Sequence, residues 1–287
     1  MMLSAAIALL ACTPHPHTEP VSLPYSVSLR MASSETRRPY RIWVALPEGY
    51  RREQGPYPVL YAVDANAEFF TVVEAARLAA EDGDIPTLIV VGIGYDTPNR
   101  TIAEILGPRG LDLTPTVDSA RLRTETASAK ASGAAPPAGF GGGPAFLRFI
   151  KADLAPYIER EFNGSPDGRG FFGHSLGGLF GVYALLQGEG FFSRVLAGSP
   201  SLWWDNRAMF AAESVFASRH RALPAKVFLA AGELETRLGP DTEAFAEQLR
   251  AHQYEGLTLQ TVRFAGERHD PVIPATISRG LRFLYAK

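Results

Sequence analysis

Cysteine is nearly missing from this chain of 287 residues: Cys12 is the only one. No disulfide can close within the chain, and no cysteine-ligated metal cluster can form. Charge of one sign is missing too. The formal net charge is −2 and no basic run is dense, so nothing here suits a nucleic-acid backbone. Long apolar runs are also absent. The one most suited to a membrane is N-terminal and falls well short of the roughly 20 residues that span a bilayer. No His/Cys ligand cluster and no dinucleotide-type glycine turn marks a cofactor site, so neither a metal nor an organic cofactor is implied.

What is present begins with an export segment. MMLSAAIALLAC reads as a short signal over residues 1–11, and its Leu9-Leu10-Ala11-Cys12 end resembles a bacterial lipoprotein signal. The expectation is an exported protein, either lipid-anchored at Cys12 or released after an ordinary secretory signal. Residues 12–21 form a Pro- and His-bearing spacer, and one domain is expected from 22 to 287.

Within that domain, short apolar runs alternate with runs of helical period. PVLYAVD and TLIVVGIGY are almost wholly apolar, as strands buried on both faces are. Between them Phe69, Val72, Val73, Ala76 and Ala80 recur at helical spacing, and a second helix is expected from about 144 to 162. The rhythm then continues through RGFFG, RVLAGS, AKVFLAAG and LTLQTVRFAG, each followed by a helical stretch. Two earlier strands, VSLPYSVSLR and RIWVALP, can pair antiparallel at one edge. The sum is an α/β fold with about eight mostly parallel strands and helices on both faces. Residues 114–143, rich in Ala, Ser, Thr, Gly and Pro, interrupt the rhythm and are expected as a flexible flap beside the site.

The chemistry centres on Gly173-His174-Ser175-Leu176-Gly177, a G-x-S-x-G pattern at a strand-to-helix junction. There a serine can stand on a cramped turn with its hydroxyl above the strand ends, and the N–H of Leu176 can meet developing negative charge. A serine needs a base. His15 and His17 lie in the spacer, His174 should turn into packing, and His220 and His252 should be solvated. His269, in GERHDPVIP after the last strand, completes the order serine, acid, histidine. Two acids compete for the middle place in AAGELE: Glu235, at the offset frequent in this fold, and Glu233 beside the glycine, with Asp241 a weaker third. After PVLYAVD, the N–H of Ala65 or Asn66 can supply a second oxyanion donor, while Asp64 braces the loop.

The blocks VLYAVDANAEFF, GHSLGGLFGVYALL, AGSPSLWWDN, AAGELE and RHDPVIPATISRGLRFLY resemble the esterase D-like α/β-hydrolases. Within that family they look like the bacterial siderophore hydrolases, which cut the trilactone of ferric enterobactin-type compounds. The resemblance implies Ser175 as nucleophile, Glu235 as acid and His269 as base, acting on a small-molecule ester without a cofactor. It also implies an Asp-Gly-Asn loop where this chain has Asp64-Ala65-Asn66, and alanine resists a positive φ. Trp203 and Trp204 are candidates for an acyl or aryl pocket, with at least one expected in the core. Arg100 and Arg109 fall where such hydrolases gather cations for an anionic ferric ligand. General carboxylesterase, feruloyl-type esterase, acyltransferase and non-catalytic binding readings remain open at this point, as does the oligomeric state.

Overall fold

The structure, a computed structural model, describes residues 22–97, 102–133 and 137–286. The signal, the spacer with Cys12, and Arg100 lie outside the described residues.

Eight strands form one sheet: β1 (Ser26–Ala32), β2 (Pro39–Ala45), β3 (Val59–Ala62), β4 (Ile89–Tyr95), β5 (Gly170–His174), β6 (Arg194–Gly198), β7 (Ala222–Gly232) and β8 (Glu255–Phe264). Their order is β1-β2-β4-β3-β5-β6-β7-β8. The first two pair antiparallel at one edge, and every pairing from β4 to β8 is parallel. The near-continuous apolar runs have the cause expected of them. In β3, Val59 and Tyr61 enter one core cluster while Leu60 and Ala62 enter the other, because successive side chains point to opposite faces.

Helices cover both faces. On one side lie α1 (Ala65–Glu81) and, at the C-terminus, α9 (Ile273–Tyr285). The other side carries α4 (Gly143–Phe149), α5 (Ala155–Phe162), α6 (Leu176–Gln187), α7 (Trp204–Ala217) and α8 (Leu238–Ala251). The helix expected over 144–162 is α4 and α5 joined by a wider π-helical turn, Ile150–Leu154. Pro156, just inside α5, has no N–H to give the regular ladder.

Two further helices were not anticipated, α2 (Ile102–Asp112) and α3 (Ser119–Ser132). The second corrects the expectation of a flap without structure over 114–143. Local signals build it: the Asp118 side chain caps the N–H of Arg121 at 2.9 Å, Arg121 pairs with Glu125 one turn on, and Gly133 stops the helix at φ 72°. The compositional argument still holds in one respect, since α3 contains no buried residue.

Away from the strand ends, Glu213 on α7 is wholly buried. Its carboxylate takes the Tyr254 hydroxyl at 2.6 Å, lies 2.7 Å from Nδ1 of His252, and accepts from Gln248. His252 is exposed, as expected of a polar helix end, with one ring nitrogen tied to Glu213. Removing this acceptor leaves buried donors unmatched. Glu213→Ala should cost about 3 kcal/mol and lower the melting temperature by roughly 6–12 °C. Thermal unfolding followed by circular dichroism checks the loss.

Candidate active site

The carboxyl ends of β5, β7 and β8 carry Ser175, Glu235 and His269. Ser175 sits between β5 and α6 with φ 60° and ψ −115°, a conformation that few side-chain-bearing residues adopt. The glycines beside it are needed for close approach. A Cβ on Gly173 would lie 2.4 Å from the carbonyl carbon and oxygen of Gly177, so the strand can turn into the helix only without it. The turn is pinned by hydrogen bonds: Ser175 N donates to Gly198 O at 2.9 Å, and Ser175 O accepts from Leu179 N and Ser201 N at 3.0 Å each.

The start of α6 lies against the start of α1. A Cβ on Gly177 would stand 2.8 Å from Val63 Cγ2 and 3.4 Å from Asp64 Oδ2. Two helix N-termini are thus brought together, and the backbone N–H groups of Leu176, Ala65 and Asn66 find no acceptor among the described residues. Such a pair of free N-terminal donors suits an oxyanion. The departure from Asp-Gly-Asn resolves in an unexpected place: the positive φ, 54°, falls on Asp64, and Ala65 is already the first residue of α1. The Asn66 side chain is committed to Tyr95, its amide exchanging hydrogen bonds with Tyr95 O at 2.9 Å and Tyr95 N at 2.7 Å, so only its backbone N–H is free to donate.

Between the two acids the geometry selects Glu235. Its Oε1 lies 2.6 Å from Nδ1 of His269, and its Oε2 accepts from Ser199 Oγ and from Gly232 N, both at 2.6 Å. Burial pushes this carboxyl up, but the hydrogen bonds from His269, Ser199 and Gly232 outweigh it and hold the group below the usual carboxylate range. Glu233 instead accepts from Gly266 N at 2.8 Å, and Asp241 pairs with Arg207 at 2.7 Å. The histidine reaches its acid because the loop after β8 doubles back over the end of β7. Leu234 N donates to Glu267 O at 3.0 Å, and a Cβ on Gly232 would meet that carbonyl at 2.4 Å.

The hydroxyl of Ser175 is turned to Ser201, Oγ to Oγ 3.4 Å, and makes no hydrogen bond to His269. The His269 ring nevertheless stands directly beside the elbow, 4.5 Å between centroids from that of His174, the residue preceding the serine. His174 is buried as expected. Burial, reinforced by the neighbouring His269, drives its pKa down to about 3, so it stays neutral.

Arg109, expected among the substrate-binding cations, is committed elsewhere. Its Nε donates to Asp64 Oδ1 at 2.7 Å and its Nη2 to His174 O at 3.3 Å, tying the α1 turn to the elbow. Glu68, one turn beyond Asp64, has its carboxyl pushed well above the ordinary range by burial and then by the Asp64 charge. The tryptophans divide. Trp204 is buried, with Nε1 donating to Thr116 O at 3.1 Å, whereas half-buried Trp203 carries the guanidinium of Arg237 at 4.5 Å and that of Arg121 at 5.2 Å from its ring centre. After them Asp205, Asn206 and Arg207 run through a left-handed turn, φ 46°, 54° and 63°. Sequence reasoning did not single out Ser199, Ser201, Arg121 or Arg237. The repeated serine in AGSPS was the one available signal. A cavity of about 440 Å³ between β2, β4 and the end of α1 lies at the opposite end of the strands and contains none of these groups.

The fold and this rim define an α/β-hydrolase acting on ester bonds. The profile of the Esterase family matches residues 33–272. The chain belongs to that family. It is 34% identical to the ferri-bacillibactin esterase BesA of Bacillus subtilis (strain 168), over 88% of this chain and 87% of the relative. Among solved structures, the BES protein from Bacillus cereus superposes with a TM-score of 0.81 at 26% identity, covering 96% of this chain and all of that one. Siderophore hydrolase EstB from Aspergillus nidulans gives 0.76 at 25% identity, covering 94% and 98%.

The two neighbouring acids allow a sharp test. Glu235→Gln keeps the shape but presents an amide to Nδ1, so kcat for a p-nitrophenyl ester should fall roughly 10³- to 10⁴-fold. Glu233→Gln should leave kcat within about twofold, since exposed substitutions away from the reacting atoms are close to neutral. Steady-state kinetics on both purified variants decides between them.

Proposed function

We propose that this protein is a serine esterase that opens siderophore ester bonds through an acyl-serine intermediate, and that it works outside the cytoplasm. The observation that carries the mechanism is the 2.6 Å contact between the buried Glu235 carboxylate and Nδ1 of a histidine beside the elbow. In the reaction His269 Nε2 takes the proton of Ser175 as its Oγ attacks the ester carbonyl. The N–H groups of Leu176 and of Asn66 receive the oxyanion, and Glu235 steadies the imidazolium. His269 then protonates the leaving alkoxide. Water, deprotonated by the same imidazole, releases the acid and restores the serine.

The siderophore assignment draws on relatives that act on such compounds by name and on an aromatic and cationic patch whose Trp203 and Arg237 follow Ser201 and Glu235 by two residues each. Trp203 there is flanked by two guanidinium groups, Arg237 and Arg121, a surface matched to an aromatic ligand with negative charge. Export, with or without a lipid on Cys12, is supported by the N-terminal sequence.

Ser175→Ala and His269→Ala should each lose nearly all turnover of p-nitrophenyl esters and of ferric trilactone siderophores. Wild-type-like turnover by either variant would remove the mechanism. A panel comparing ferric trilactones with neutral short-chain aryl esters tests the substrate. Arg237→Ala should raise KM for the ferric trilactone about two- to fivefold while leaving KM for the neutral ester unchanged, as loss of an exposed cation over an aromatic ring predicts. Equal effects on both substrates, or no trilactone turnover, would leave a general carboxylesterase.

A further inference from the structure

We propose that His174, His269 and Asp270 form a binding site for a divalent transition-metal ion such as Zn²⁺, and that filling it arrests the esterase by capturing the imidazole of His269. One ligand atom from each of the three residues lies within 4.8 Å of the other two. His174 is 3% exposed, and its imidazole lies against both the backbone and the ring of His269. Its ring lies beside that of His269, centroids 4.5 Å apart. Nδ1 of His269 is held by Glu235, so Nε2 is the nitrogen left to bind an ion. Asp270, next in sequence and exposed, offers a carboxylate with no hydrogen bond or ion pair among the described residues.

Two imidazoles and a carboxylate are a fitting donor set for Zn²⁺, whose bonds to such atoms are about 2.0–2.2 Å and whose tetrahedron leaves a fourth place for water. The ligand atoms must draw together to roughly 3.4 Å, the edge of a tetrahedron with those bond lengths. Rotation of the exposed Asp270 side chain can supply part of that movement, while the buried histidine stays in place. No bond is made or broken in the substrate. The ion occupies the lone pair that would accept the serine proton, and ester cleavage stops until the ion leaves. This role differs from that of a resident catalytic metal, which the acyl-serine route does not use.

The test is p-nitrophenyl acetate hydrolysis by the full chain in chelator-free buffer, titrated with ZnCl₂ and then with EDTA, alongside visible absorption of the protein with Co²⁺. Zinc should inhibit saturably at micromolar concentration and EDTA should restore the rate. Asp270→Asn and His174→Gln, each measured against its own zinc-free rate, should need at least about tenfold more zinc, since disturbing even the outer partners of a metal site commonly costs that much. The cobalt absorption of the wild type should weaken in both variants. If His174→Gln does not fold, the exposed Asp270→Asn decides alone. Absence of inhibition at millimolar zinc, or identical zinc sensitivity of wild type and Asp270→Asn, overturns the proposal. Absence of turnover in zinc-free buffer would instead count against the esterase reading, and the cobalt spectrum would still report the site.

Discussion

The interaction on which this active site depends is the buried contact between Glu235 and His269. A carboxylate taken out of water is costly unless its lone pairs are used. Here they are used by three groups from three separate segments: the imidazole from the β8 loop, the Ser199 hydroxyl from the end of β6, and the Gly232 N–H from the end of β7. The same bonds that keep the acid ionised also fix the loops that carry it. Catalytic orientation and local stability are therefore one requirement at this rim, and a change to any of the three partners disturbs both.

Backbone strain gathers around that contact. Asp64, Ser175 and Ser199 all take positive φ, at 54°, 60° and 39°, and all three end strands of the parallel sheet. Such conformations persist only where surrounding structure holds them. Ser175 is held by Gly198 O and Ser201 N, Ser199 by a 2.6 Å bond to Ala230 O, and Asp64 by the guanidinium of Arg109. Arg109 also reaches His174 O, so the turn carrying the free N–H groups of α1 and the turn carrying the serine share one tether. The cation expected for substrate is spent on holding two donor groups in register with each other.

Much of this could be read in the amino-acid order. Strands buried on both faces announce themselves as unbroken apolar runs, and Ser175, His269 and the acid after AKVFLAAG follow from the order of elements. The residues that escaped are those whose role depends on where chain segments cross. Arg109 became a tether because α2 brings it against Asp64, 45 residues earlier, and nothing around it in sequence says so. Glu233 and Glu235 are separated in function only by the crossing of the β8 loop over Gly232. The error over α3 had a different source. Composition reports on whether a segment can bury surface, and α3 buries none, but its cap, its ion pair and its stop glycine suffice to wind it.

The segment that carries that helix is held by a buried tryptophan. Trp204 anchors the segment leading into α3, donating to Thr116 O and meeting Phe140 edge-on at 4.8 Å from the segment that follows it. Both ends of the excursion are thus fastened to the core by one buried ring. Trp203, its neighbour in sequence, stays half-exposed and meets Arg121 of α3 on one hand and Arg237 of the acid loop on the other. Since α3 contributes nothing to the core, substitutions on it come at small cost in stability. The surroundings of Glu235 have no such freedom, because His269, Ser199 and Gly232 are all bound to its carboxylate. The division between a fixed rim and an unpacked α3 follows from which side chains are buried.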